Sequence, residues 1–275
     1  MAFLDEVPDR NGNLRRLGSR PKPAGFKTAF RAYADAGPMF TRDQILGIVA
    51  NPSRLRRRKL FGRDWILDQR QHGSCGGHME AGAFMRASFL RGRPKRLASG
   101  AYCYSKCNGG SDDGSILEDE MKVGMQYGHA RAELVTWDMI YTRQQPAGAD
   151  ADAAGHKSEE PFAVHTLEEL QSALAAGLVC GVAVHVGDNF MRLDGNGVIG
   201  FDRGQGNHAV CVDDLEIVGG ELVYDLPNSW GPDDFGVDGR GYLTDAHLLE
   251  TIQYHQFYAV VTTREPDGAV PPPRA

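Results

Sequence analysis

Four residues of complementary chemistry stand far apart in this chain, in a set order. Gln69 comes 75 − 69 = 6 positions before Cys75, which sits in the run Gly73-Ser74-Cys75-Gly76-Gly77. His208, in Asn207-His208-Ala209-Val210, follows 208 − 75 = 133 positions later. Asn228, in Asn228-Ser229-Trp230-Gly231, comes another 228 − 208 = 20 positions on. No local structure can join residues so separated. If they act on one atom, the fold must bring them together.

The residue types fit thiol acyl-transfer chemistry, which needs a thiolate, a base, a group that orients the base, and donors for an oxyanion. Cys75 opens a segment in which Met79, Ala83, Ala87 and Leu90 recur at near-helical spacing, ended by Gly92 and Pro94. Amides at a helix start favour the charged sulfur, and the flanking glycines leave room for a substrate backbone. A thiolate–imidazolium pair is the expected resting form. His208 can take the thiol proton and return it to a leaving amine. The amide oxygen of Asn228 can fix the ring tautomer, with Trp230 lying over that hydrogen bond to exclude water. The Gln69 side chain and the Cys75 backbone amide would hold the oxyanion. Gln71 is a nearby competitor, and spacing alone favours Gln69.

Along the chain, residues 1–60 carry Pro21, Pro23, Pro38 and Pro52 with little periodicity. They read as an arm or pro-segment packed on the main body, with one short helix from Thr41 through Val49. A main domain spans 61–265 and a disordered tail 266–275. Helices are expected at 116–127, stopped by Gly128, and around Leu167, Leu170 and Leu174, closed by Gly177. Residues 144–161, rich in Ala, Asp and Gly, read as an exposed insertion loop. Strands are expected at 179–186, 208–212, 221–226 and 258–263. Helices first and strands later give an α+β class, with a helical half facing a sheet half.

Composition narrows the function. The chain has 275 residues, 41% hydrophobic and 24% charged, with a net charge of −6. That suits a globular fold and does not favour nucleic acid as a partner. The basic run Arg54, Arg56, Arg57, Arg58, Lys59 reads as a solvated charge run, or as a processing or docking site. Residues 1–20 hold no apolar stretch, and no later segment could span a bilayer. The expectation is a cytoplasmic or otherwise non-secreted protein with no membrane partner. Of the five cysteines, Cys180 and Cys211 lie in apolar runs and read as buried thiols. Cys103 and Cys107 lack a second ligand pair for zinc. No metal or other cofactor is called for.

Together these residues resemble the papain-like cysteine peptidases. The Gln–Cys spacing, His208-Ala209-Val210, and Asn228-Ser229-Trp230-Gly231 with Phe235-Gly236 and Gly239-Arg240-Gly241-Tyr242 carry the resemblance, which extends from about residue 64 to 261. It implies a two-lobe α+β fold, a helical lobe plus an antiparallel sheet or barrel lobe with the active site between them. Cys75 would be the nucleophile, His208 the base, Asn228 its orienter and Gln69 the oxyanion donor, acting on a peptide or protein substrate. The family's backbone-pairing strip falls on Cys107-Asn108-Gly109-Gly110 or, counting back from Gln126-Tyr127-Gly128, on Gly114-Ser115, which is preferred. Ala209 would line a side-chain pocket, and Trp230 completes the substrate-binding set. Three departures stand out. Gly76 replaces the usual Trp after the nucleophile, and His72 replaces the usual first disulfide cysteine. The helical pro-segment signature is not recognisable in residues 1–60, which argues against zymogen control and for docking of that segment onto a partner, for example within a larger particle. Competing readings are a Cys–His acyl transferase or peptidoglycan amidase, or a structural component that keeps the peptidase scaffold.

Overall fold

The computed structural model describes residues 5–108, 110–135, 140, 142 and 144–262. Thr263, at the end of the last expected strand, and the expected tail 266–275 lie outside them, as does Gly109 of the alternative strip.

A two-stranded antiparallel ribbon, β1 (Glu6–Pro8) with β2 (Leu14–Arg16), opens the chain. Then come α1 (Arg42–Ala50) and a single turn, α2 (Arg57–Leu60). The helical lobe is α3 (Cys75–Leu90), α4 (Gly100–Cys107), α5 (Leu117–Gln126) and α6 (Ala149–Ala154). The sheet lobe follows as β3 (Phe162–Val164), α7 (Leu167–Ala175), β4 (Val179–Val184), β5 (His208–Val212), β6 (Asp214–Val218), β7 (Glu221–Pro227), β8 (Arg240–Leu243), α8 (Asp245–Thr251) and β9 (Phe257–Val260). One antiparallel sheet has the order β3-β9-β4-β5 and a second β6-β7-β8. The expected α+β division is the one observed.

Local chemistry explains the elements. Thr41 and Gln44 cap α1 reciprocally, each side chain taking the other's backbone N–H, at 3.3 Å and 2.8 Å. Strand β4 is buried at every position because α3 packs on one side and α7 and α8 on the other. Helix α3 is buried from Cys75 to Ser88, lying between α4, α5 and the β4–β5 pair. Its first residue is therefore delivered to the junction of the lobes.

Two expectations need correction. The segment 144–161 is not simply an exposed loop. It contains α6, whose Ala149 and Ala153 are fully buried in one apolar cluster with Phe84 and Tyr102, with Asp150 and Asp152 anchored to Lys106, Tyr102, Arg96 and Arg131. The basic run is not a solvated face either. Arg54 pairs with Asp214, Arg56 with Glu216 and Arg58 with Asp225, while Arg57 donates to the carbonyls of Leu178 and Asp213. The acidic groups of β6 and β7 fasten residues 54–58 to the sheet lobe, with Arg57 buried, while Arg56 and Lys59 stay exposed. All five cysteines are free thiols, and Cys180 and Cys211 are buried. Among the described residues no helix is long and apolar enough to cross a membrane.

Candidate active site

Cys75 is the first residue of α3 and is completely buried. Its sulfur lies against backbone amides: that of Gly18 at 3.3 Å, and those of Ala209 and Gly76. His208 begins β5, so the strand that presents Ala209 to the sulfur also carries the imidazole. The ring nitrogen Nε2 of His208 stands 2.8 Å from Oδ1 of Asn228, just past β7. That same oxygen accepts the backbone N–H of Ser229, also at 2.8 Å, which fixes the amide's orientation. The other ring nitrogen, Nδ1, is buried without a hydrogen-bond partner among the described groups. The indole of Trp230 covers the imidazole at 5.0 Å between centroids, tilted by 35°. Phe190 and Phe235 pack edge-on against Trp230, and Phe190 also meets His208 edge-on. Phe190 was not singled out from sequence, since it lies in a loop with no motif around it.

Gln69 is tied to the same constellation. Its backbone N–H donates to the Ser229 carbonyl at 2.7 Å, and its Oε1 accepts from Ser229 Oγ at 2.8 Å. Its Nε2 donates to the carbonyls of His72 at 2.9 Å and Arg16 at 3.0 Å. Thus Gln69 meets this run at Ser229, Asn228 and Trp230 hold His208, and the Cys75 sulfur reaches the group at the Ala209 amide. Gln71 is exposed.

The N-terminal arm runs through the same cleft. Residues Arg15, Leu17, Gly18 and Ser19 are all buried. The Gly18 N–H meets the sulfur, and the Gly18 carbonyl accepts from Ser115 N at 2.9 Å. Arg20 N donates back to the Ser115 carbonyl at 2.9 Å, giving a parallel bridge between Ser19 and Ser115. A Cβ on Gly18 would drive into the carbonyl of Gly73, and one on Gly114, whose φ is +74°, into the carbonyl of Gly18. Of the two candidate strips, Gly114-Ser115 is the one paired with a chain in the cleft. Asn108 instead points its side chain to the Ile140 carbonyl. Ala209 is fully buried on β5.

Arg15 anchors the arm. It pairs with Asp9 at 2.8 Å, Asp68 at 2.6 Å and Asp234, and donates to the Trp230 carbonyl at 3.0 Å. Arg16 reaches Asp112 at 2.7 Å.

Enclosure sets the electrostatics. Burial pushes the Cys75 thiol up to about 11, against the pull of the surrounding amides. Burial also depresses His208 to about 4, against the hydrogen bond to Asn228. Both shifts favour the neutral forms of the two groups, whereas the sequence reading expects an ion pair.

No family model matches the chain, and no curated protein matches it in sequence. Solved structures do match in fold. Xylellain, a cysteine protease from Xylella fastidiosa, aligns at a TM-score of 0.69 and 18% identity, over 91% of this chain and 98% of that one. The Amb a 11 cysteine protease, a ragweed pollen allergen, in its proform, aligns at 0.62 and 18%, over 79% and 68%. ProCathepsin B S9 from Trypanosoma congolense aligns at 0.61 and 15%, over 96% and 94%. The fold is that of the papain-like cysteine proteases: α+β, with two lobes.

Proposed function

We propose that the protein is a cysteine peptidase that hydrolyses peptide bonds through an acyl-thioester on Cys75, and that the arm holds it closed. The observation that carries this reading is that the Cys75 sulfur, at the start of α3, lies against the Ala209 amide next to His208, whose ring is held by Asn228 under Trp230, with Gln69 tied to Ser229 of the same run.

In the open form His208 takes the thiol proton and the sulfur attacks the carbonyl carbon. The oxyanion is held by Gln69 Nε2 and the Cys75 N–H. The C–N bond breaks as the imidazolium gives its proton to the leaving amine, which leaves an acyl-thioester. Water, losing a proton to His208, then attacks the thioester. The C–S bond breaks, the acid departs and the proton returns to sulfur. Gly114 and Ser115 would pair with the substrate backbone, in the place the arm now takes. The arm is poorly placed for attack, because an N–H rather than a carbonyl carbon faces the sulfur.

The test uses the full-length chain in three forms: wild type, Gly18→Ala and Cys75→Ala. A Cβ at position 18 collides with Gly73 and should expel the arm. Gly18→Ala is expected to raise both peptide turnover and iodoacetamide labelling at Cys75 by about tenfold or more, a shift of roughly 1.4 kcal/mol in the open fraction. Cys75→Ala should cleave nothing, and full cleavage by that variant would end the proposal. A peptidoglycan fragment assayed beside the peptide separates an amidase from a peptidase.

A further inference from the structure

The residue after the candidate nucleophile is a glycine, and the space beside it is filled from another helix. A Cβ built on Gly76 would lie 2.5 Å from Ser115 Oγ and 3.1 Å from both Cγ and Oε1 of Glu120. Ser115 Oγ donates to Glu120 Oε1 at 2.7 Å, and Cys107 Sγ reaches the same oxygen at 3.0 Å. Glu120, on α5, is completely buried, and its second oxygen has no hydrogen-bond partner among the described groups. One buried carboxyl therefore sits beside Gly76 of α3 and holds the residue whose main chain pairs with whatever lies in the cleft.

We propose that Glu120 is a positioning residue for the Cys75 centre: through Ser115 it fixes the backbone strip beside the sulfur, and its charge state sets how readily the thiol ionises. This rests on the reading of Cys75 as nucleophile. The geometry gives Glu120 two separable tasks. As a hydrogen-bond acceptor it orients Ser115, whose N–H and carbonyl grip the chain in the cleft. As a charge it acts on the sulfur across Gly76, with the Ser115 hydroxyl beside it, and an ionised Glu120 opposes the thiolate.

The groups facing Glu120 are few. Helix α3 contributes Cys75 and Glu80, whose Oε1 is engaged with His129 at 3.1 Å and Ser158 at 3.1 Å. Helix α4 contributes Cys103 and Cys107, and Asp119 lies on its own helix. None of these is a cation paired with it. Burial accordingly raises the Glu120 carboxyl to about 7, against the hydrogen bonds from Cys107 and Ser115 and with the help of Glu80 and Asp119. A carboxyl so placed changes charge in the range where a peptidase works.

The experiment follows the iodoacetamide labelling rate of Cys75 from pH 5 to 10, located by mass spectrometry, in full-length Gly18→Ala protein with and without Glu120→Gln. The parent should show an inflection near pH 7 in addition to that of the thiol. Glu120→Gln should lose the near-neutral inflection and move the thiol's own to lower pH. Labelling at pH 8 should rise about 3- to 10-fold, the change expected for a thiol made up to one unit more acidic. Superimposable profiles would overturn the proposal. If Glu120→Gln does not fold, Ser115→Ala serves: removing a donor to the carboxylate should shift the near-neutral inflection upward, and an unmoved inflection overturns the proposal. A Cys75 that takes no label in any form would instead overturn the nucleophile reading, and the proposal with it.

Discussion

Every polar atom of the Gln69 side chain is engaged inside the site, with Ser229 on one side and the His72 and Arg16 carbonyls on the other. Its Nε2 is thus already aimed at a carbonyl oxygen, the kind of atom an oxyanion grows from. Gln69→Ala, made in the open Gly18→Ala form, should lower kcat on the order of 100- to 1,000-fold with little change in KM, as read from steady-state peptide hydrolysis. An effect confined to KM would show that Gln69 only binds substrate. Residues of this sort were legible in the sequence because each sits in a short motif: Gln69 six before Cys75, Asn228 beside Trp230. Arg15, Gly18, Phe190 and Glu120 were not. Their significance comes from partners remote along the chain, such as Asp234 for Arg15 and Gly73 for Gly18, and no neighbouring residue announces them.

At the level of elements, the arm around β2 is held by the Arg15 cluster. Burial works against ionisation of Asp9, yet the hydrogen bonds from Arg15, Asn13 and Asn11 outweigh it and hold the carboxyl below its ordinary 3.8. A depressed carboxyl contributes stability above its unfolded value and loses that contribution as pH falls through the folded one. The arm should therefore loosen in acid, below pH 3.8. Hydrogen exchange at the Gly18 amide, corrected for its intrinsic rate, is expected to lose protection there. Arg15→Ala should show the loss at neutral pH, on the order of 100-fold, because removing one partner of a buried pair costs about 3 kcal/mol. Protection unchanged down to pH 3 would mean that other contacts hold the arm. Several elements were readable in advance: α1 from its capping residues, α5 and α7 from their glycine stops, β4 from its β-branched run. Helix α4 was missed because Ala101 to Ser105 are all buried, so no polar stripe marks its period. Helix α6 was missed because its short Ala and Asp run between Gly148 and Gly155 mimics a loop.

Across the whole molecule the lobes are fastened by a buried ionic chain. Arg86 of α3 meets Asp213 at 3.0 Å, Asp213 meets Arg240 at 2.6 Å, and Arg240 meets Asp225 at 3.0 Å. All four side chains are nearly or wholly inaccessible. Asp213→Ala leaves Arg86 without its carboxylate and Arg240 with Asp225 alone, and should cost about 3–5 kcal/mol, seen as a lower Tm and denaturant midpoint. A loss under 1 kcal/mol would show that water reaches these cations. The two-lobe plan was legible from the order of helical and β-branched segments, whereas this fastening was not, since Arg86 sits unremarked within a helix pattern.

The arm and the cleft it fills belong to one polypeptide, so closure is a unimolecular equilibrium. Diluting the sample cannot open it, whereas cutting the tether removes the millimolar local concentration that a short flexible link supplies. Any ligand competing for the cleft binds with its intrinsic affinity reduced by the open fraction, and potencies measured on the intact chain will understate how well a molecule fits.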